Sequence, residues 1–248
     1  MPAAIDVLHP EAPKRVLIVA SNPAVSPQTG WPVGFWWAEL THPYWEFTER
    51  GYDVTIASPQ GGALVADGFS DPEDESGYSA HDLISLGFKK SPAHAALLET
   101  TTALADVDPE DFDAVFLVGG QGPMITFRGN DEVLGLVRAF SASGKPTAIV
   151  CHATCVLLEA TKADGSLVVD GLSWTGFADS EERFADEFVG QKIQPFWIEE
   201  EARKLPNTNF LVQSRFKAHA VRDGNLITGQ QQYSGAAAAR LVIEALGV

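Results

Sequence analysis

The sequence is poor in sulfur and in positive charge. Two cysteines and two methionines occur in 248 residues, and 17 Lys and Arg stand against 33 Asp and Glu, a formal net charge of −16. The cysteines, Cys151 and Cys155, are too close together to staple a fold. That excludes a disulfide framework and makes a reducing, cytoplasmic setting the expectation. The acidic balance argues against nucleic acid or an anionic membrane as partner. No apolar run approaches the roughly 20 residues of a membrane span. Met1 to Arg15 carries acids and prolines where a secretory signal would carry an apolar core. Internal repeats and domain linkers are also missing, so the expectation is one large α/β domain over residues 1–248, with 1–13 as a polar N-terminal extension.

What is present is an alternation of short apolar runs and helical spacings. Lys14 to Ala20, Tyr52 to Ala57, Asp113 to Val118 and Thr147 to Val150 are continuous apolar or β-branched runs, the pattern of strands buried in a parallel sheet. Between them, Gly34 to Phe47, Ala93 to Leu104 and Asp131 to Ser143 take helical spacing, and Ala236 to Leu246 closes the chain the same way. Asn22 to Trp31 reads as a loop, and His42-Pro43 as a break in the first helix, with His42 bonded to backbone. Asp-Gly at 223–224 marks a hairpin. Residues 59–91, with an acidic, Gly-rich middle from Asp67 to Gly77, are too long for a connector and read as a lid or a dimer surface. The order implies a mostly parallel sheet sandwiched by helices.

The chemistry concentrates at Pro146 to Ala160, where a strand turns directly into a helix with Cys151 and His152 at the corner. Such a corner projects its residue above the sheet and aims free backbone N–H groups at the same place. A cysteine there has its thiolate favoured by the helix start and by a neighbouring imidazolium. This is a nucleophile elbow. Ile149 and Ala153 occupy the places where such elbows carry glycine, which predicts a blunter corner. Glu39 is a carboxylate among aromatic neighbours: a buried proton carrier with raised pKa, or part of a solvated helix face. Glu182 is spaced from Asp179 as in a capping box, and could equally orient His152. Gly119-Gly120-Gln121-Gly122 follows a strand without the lysine of a phosphate loop or the spacing of a dinucleotide fingerprint. An N–H of that loop facing the N–H of His152 would make an oxyanion hole.

Val-Gly-Gly-Gln-Gly (118–122), Ala-Ile-Val-Cys-His-Ala (148–153), Gly-Phe-Ala-Asp-Ser-Glu-Glu (176–182) and Leu-Ile-Thr-Gly-Gln (226–230) occur in this order, with Gly34 to Pro43 upstream. From about Arg15 onward the chain resembles the DJ-1/PfpI superfamily and its Hsp31-like branch. The resemblance implies a flavodoxin-like, three-layer α/β/α sandwich of the class I glutamine-amidotransferase type. It implies Cys151 as the reactive cysteine, His152 beside it, and Glu182 as the third member of a triad. Glu39 would shuttle protons, and Gly120 and His152 would supply oxyanion-hole donors. It further implies a cofactor-free, metal-free enzyme, a homodimer, and a small electrophilic substrate. Glutathione-independent glyoxalase activity on 2-oxoaldehydes comes first; cysteine hydrolase or hydratase chemistry and a redox-sensing or chaperone-like role are the alternatives. Two positions depart from the branch: Gln121 stands where it has histidine, and Ala153 where it has glycine. An amide cannot titrate, so acid–base work at position 121 is lost. The stretch Gly229 to Ser234 also drifts from the branch's pattern.

Overall fold

The computed structural model describes residues 12–247. The lead-in expected over 1–13 therefore lies, up to residue 11, outside the described residues. In chain order the strands are β1 (Arg15–Val19), β2 (Ala24–Val25), β3 (Pro32–Val33), β4 (Asp53–Ser58), β5 (Gln60–Gly62), β6 (Thr101–Ala103), β7 (Ala114–Leu117), β8 (Thr147–Val150), β9 (Ser173–Trp174), β10 (Asn209–Phe210), β11 (Ala220–Asp223) and β12 (Leu226–Gly229). The longer helices are α1 (Trp37–Glu49), α2 (Leu83–Lys90), α3 (Asp131–Ser143), α4 (Asp179–Val189) and α5 (Gly235–Ala245).

Eight strands form one sheet in the order β11-β12-β8-β7-β1-β4-β6-β5. The interior pairings from β12 to β6 are parallel, and the edge strands β11 and β5 pair antiparallel. Val16 to Val19, Ala114 to Leu117 and Ala148 to Val150 are wholly inaccessible. A strand buried on both faces must be covered on both, which is why these runs are continuously apolar instead of alternating. The chain thus has the three-layer, mostly parallel α/β architecture read from its pattern. The Asp-Gly hairpin is β11–β12, with Asp223 opposite Leu226.

Several local expectations are corrected. Helix α1 runs through Pro43 without a break, and His42 bonds the Asp82 carboxylate at 2.9 Å, not backbone. Pro43 lacks the N–H that would bond the Glu39 carbonyl. Its ring instead packs on Gly235 of α5, where a Cβ would meet Pro43 Cδ and Cγ at 3.3 Å. Ala93 to Leu104 is not one helix: a turn of helix over Pro92–Ala95 and a 3-10 turn give way to β6, because Thr101 and Thr102 extend and pair with β4 and β5. The loop Asn22 to Trp31 contains β2, which pairs with β3. Asn22 is anchored below it, donating to Gly61 O at 2.9 Å.

Segment 59–91 carries β5, a 3-10 turn at Gly68–Ser70 and α2. Its acidic middle is matched by the end of α2: Lys89 lies 2.6 Å from Asp71 and 3.1 Å from Glu73, and Lys90 lies 2.6 Å from Glu73. These pairs are partly exposed to solvent, so they fix geometry more than they add stability. They hold Asp67, Phe69 and Tyr78 over the carboxyl ends of β1 and β7, where a parallel sheet presents its ligand crevice.

Candidate active site

Strand β8 ends at Val150, and the next residue, Cys151, opens a 3-10 helix over Cys151–Leu158 with φ +56°. Left-handed backbone is costly for a residue with a Cβ and persists only where the surroundings impose it. Among the described residues only Phe216 shares it outside glycine. The corner is therefore a true elbow despite Ile149 and Ala153, which are wholly buried and shape it by packing.

The structure brings the residues singled out above to one place. Cys151 Sγ lies 3.4 Å from His152 Nδ1, and His152 Nε2 lies 3.0 Å from Glu182 Oε1. A carboxylate at Nε2 places the ring proton there, which leaves Nδ1 free to accept from the thiol. The imidazole also stacks on Phe177, with centroids 4.1 Å apart and planes 24° apart. The backbone N–H groups of Gly120 and His152 lie close enough to the sulfur to favour its thiolate. Glu39 reaches in from α1. Gly119 separates β7 from the elbow, and a Cβ there would collide with Glu39 Oε2 and stand 2.6 Å from Cys151 Cβ. Only a glycine lets the carboxyl and the nucleophile meet. Gly120, at φ +107°, then turns its N–H inward.

The electrostatics follow from burial. Glu39 is completely inaccessible and neither carboxyl oxygen completes a hydrogen bond of ordinary geometry. Burial raises its pKa to about 8, opposed in part by the Cys151 thiol, His152 and the Gly119 N–H. Burial also pushes the Cys151 thiol well up, and a charged Glu39 adds to this, while the two backbone N–H groups work the other way. Desolvation of the buried thiol outweighs the helix start and the imidazole, the two influences expected to favour the thiolate. The two groups titrate as a pair. Below about pH 8 Glu39 holds its proton, so its charge no longer opposes a thiolate and its O–H can face the sulfur. For His152, burial disfavours the imidazolium, but Glu182 outweighs it and the pKa is raised.

The expected capping box is displaced by one residue. Glu181, not Glu182, reaches back to the Ala178 N–H at 3.1 Å. Adjacent helical residues point about 100° apart, so one glutamate caps the helix and the other is left to face His152. Glu181 does more: its other oxygen accepts from the Phe216 N–H and from Gln230 Nε2, each at 2.9 Å. That ties the loop after β10 to the site and gives the drifted stretch a purpose, since Gln232 in turn bonds the Tyr78 hydroxyl at 3.0 Å.

Asp67 is the residue sequence reasoning missed. It is buried, its pKa is raised to about 7 by burial, and it accepts from the Gly34 N–H at 2.9 Å and the Gln121 N–H at 2.6 Å. It thereby clamps the glycine loop whose next N–H, that of Gly120, lies close to the sulfur. Its only sequence signal was an acid in a segment rich in acids. Gln121 points its side chain into the pocket above Cys151, its buried Oε1 without a partner. Among the described residues, no three or more His, Cys, Asp and Glu side chains are grouped to hold a metal ion. No helix there is long and apolar enough to cross a membrane. A thiol at a strained elbow, two convergent N–H donors, an orienting His–Glu pair and a buried carboxyl of pKa about 8 can together form and resolve a thiol adduct of a carbonyl.

Known proteins share sequence and fold with this chain. Deglycase PfpI of Pyrococcus furiosus is 27% identical over 155 residues, 62% of this chain and 75% of that protein. Glyoxalase 3 of Candida albicans is 24% identical over 225 residues, 87% of this chain and 91% of its own length. Among solved structures, the Francisella tularensis Rapid Encystment Protein 24 KDa superimposes with TM-score 0.83 at 23% identity, covering 95% of this chain and all (100%) of that one. Glyoxalase III of C. albicans gives 0.76 at 22%, covering 94% and 97%. The description of the DJ-1/PfpI family matches residues 34–245. With the sheet order, the elbow and these relatives in agreement, the chain belongs to the DJ-1/PfpI family.

Proposed function

We propose that this chain converts 2-oxoaldehydes to 2-hydroxy acids with water and without glutathione, methylglyoxal to lactate being the simplest case. The observation that carries the reading is Glu39: a fully buried carboxyl with pKa about 8, set across Gly119 from the Cys151 side chain. A hydrolase needs no such group beside its nucleophile, whereas moving a proton between adjacent carbons needs a base poised near neutrality.

The thiol gives its proton to His152 as the S–C bond forms at the aldehyde carbon and the C=O π bond opens. The Gly120 and His152 N–H groups hold the developing oxyanion, which takes the proton held by Glu39 to give a hemithioacetal and leaves Glu39 a carboxylate. Glu39 as carboxylate removes the proton on that carbon to give an enediolate and returns a proton to the adjacent carbon, leaving a thioester. The first carbon is oxidised and the second reduced, so no external oxidant enters. His152, held by Glu182, activates water; the C–S bond breaks and the thiol is restored. The relatives named glyoxalase support this reading.

The test is lactate release from methylglyoxal in deuterated water without glutathione. The expected outcome is turnover with solvent deuterium at C2, lowered by about 10²-fold or more in Glu39→Gln. Lactate formation that survives Glu39→Gln unchanged would take the proton transfer away from Glu39, lactate without deuterium at C2 would replace the enediolate by a hydride shift, and no lactate from the wild type would leave hydration or hydrolysis at Cys151.

A further inference from the structure

The pocket above Cys151 is built for more than a three-carbon substrate. Its walls form a connected run of rings: Trp36 meets Tyr78 edge-on at 6.1 Å, Tyr78 meets Phe69 at 6.4 Å, and Phe69 meets Phe188 at 6.1 Å. Phe188 stacks on Phe184 at 6.3 Å and 16°, and Phe184 meets Phe216 at 5.2 Å. Among the described residues no lysine or arginine lines the cavity. The Arg215 guanidinium lies over the Phe184 ring at 4.6 Å. Apart from the nucleophile, the polar lining is six side chains: Tyr78, Gln121, His152, Glu182, Gln194 and Gln232, of which His152 and Glu182 are paired with each other. The Tyr78 hydroxyl and the Gln232 amide bond each other at 3.0 Å. Gln121 Oε1, beside the nucleophile, is the unpaired acceptor.

Taken with the reaction proposed above, on which this inference rests, the geometry points to arylglyoxals and 2-oxoaldehydes with comparably flat, uncharged, apolar side groups as the preferred substrates, ahead of methylglyoxal. A ring on the ketone carbon replaces water along the aromatic run, where flat faces and edges pair favourably. A phosphate, carboxylate or polyol would find no lysine or arginine among the described residues of the lining and would lose its hydration. The product is an anion among Glu39, Asp67 and Glu182 with no lysine or arginine to retain it, which favours its departure.

The experiment has two arms on the full-length wild-type protein. In the first, binding of 2-hydroxyacetophenone and of hydroxyacetone, both unreactive here, is followed by the fluorescence of Trp31 and Trp36, which line the pocket. The expected result is roughly tenfold or more tighter binding of the aryl ketone. In the second, kcat/KM for phenylglyoxal and methylglyoxal is compared. A ratio of about ten or more in favour of phenylglyoxal is expected, falling about fivefold in Phe188→Ala. That side chain is 60% exposed, so its removal leaves the fold intact. Equal binding of the two ketones overturns the inference, and so does a kcat/KM ratio near one. If the aryl ketone binds preferentially and neither oxoaldehyde turns over, the pocket assignment stands for a flat apolar ligand and the reaction reading falls. Turnover of methylglyoxal without any aryl preference does the reverse.

Discussion

Cys151 and Cys155 lie on the same 3-10 helix, both buried and both free thiols. Their surroundings differ in every respect that matters for chemistry. Cys155 has ordinary backbone, burial raises its pKa to about 12, and its sulfur rests 3.6 Å from the Pro123 carbonyl, a contact that favours the protonated thiol. Cys151 has left-handed backbone, two N–H groups close to its sulfur, an imidazole at 3.4 Å and a protonatable carboxyl across Gly119. Burial alone makes a cysteine inert. Burial together with donors, an acceptor for the proton and a second titrating group makes one that can be switched on by a substrate.

The comparison is broken most directly by exchanging the two roles. Cys151→Ala should abolish 2-oxoaldehyde turnover, a loss of about 10³-fold or more, because no other nucleophile lies at the elbow. Cys155→Ala should keep activity within a few-fold and lower stability by about 1 kcal/mol for the small cavity it leaves. Steady-state assays and thermal melts of both variants check this; a similar activity loss in both would dissolve the distinction. Next in size is Glu182→Gln. Removing the charge that raises the His152 pKa should lower activity by about 10- to 100-fold. It should also move the histidine titration downward, which NMR of the imidazole reports. An unshifted titration would leave Glu182 with a packing role only.

The smallest effect is a slope. Folding raises Glu39 from 4.5 to about 8 and Asp67 from 3.8 to about 7. Within those windows the folded protein keeps protons that the unfolded chain releases. Stability is then highest at the acid side and declines as pH rises toward 8. His152, also raised, acts in the same direction as pH passes its unfolded value. Melting temperatures should fall from pH 5 to pH 8, and Glu39→Gln should flatten that fall. Parallel curves for the two proteins would mean that Glu39 is ionised in the fold.

Much of this was legible in the sequence because it was written locally. Continuous apolar runs gave the buried parallel strands, and the strand-to-helix junction gave the Cys151–His152 corner. What could not be read was decided at a distance. Pro43 stays in its helix because Gly235, nearly two hundred residues later, receives its ring. Asp67 matters because the chain folds it under Gly34 and Gln121. The assignment of Glu181 to the cap and Glu182 to the histidine turns on where the helix begins, and a shift of one residue reverses it. The thiol's burial, which outweighs the helix start, is likewise a property of the assembled site.

The proline in α1 has a wider reach. Because Pro43 has no N–H to offer the Glu39 carbonyl, the turn bearing the catalytic carboxyl candidate is braced from outside by Gly235, where a Cβ would meet the Pro43 ring at 3.3 Å and stand 3.4 Å from the Glu39 Cα. The closing helix of the chain is thus part of the aiming apparatus without contributing a reactive atom. A nascent chain would hold every proposed reacting group before α5 is made, yet Glu39 would still lack its brace. Activity would therefore await α5, and a product truncated ahead of Gly235 would carry the whole set of reactive side chains unaligned.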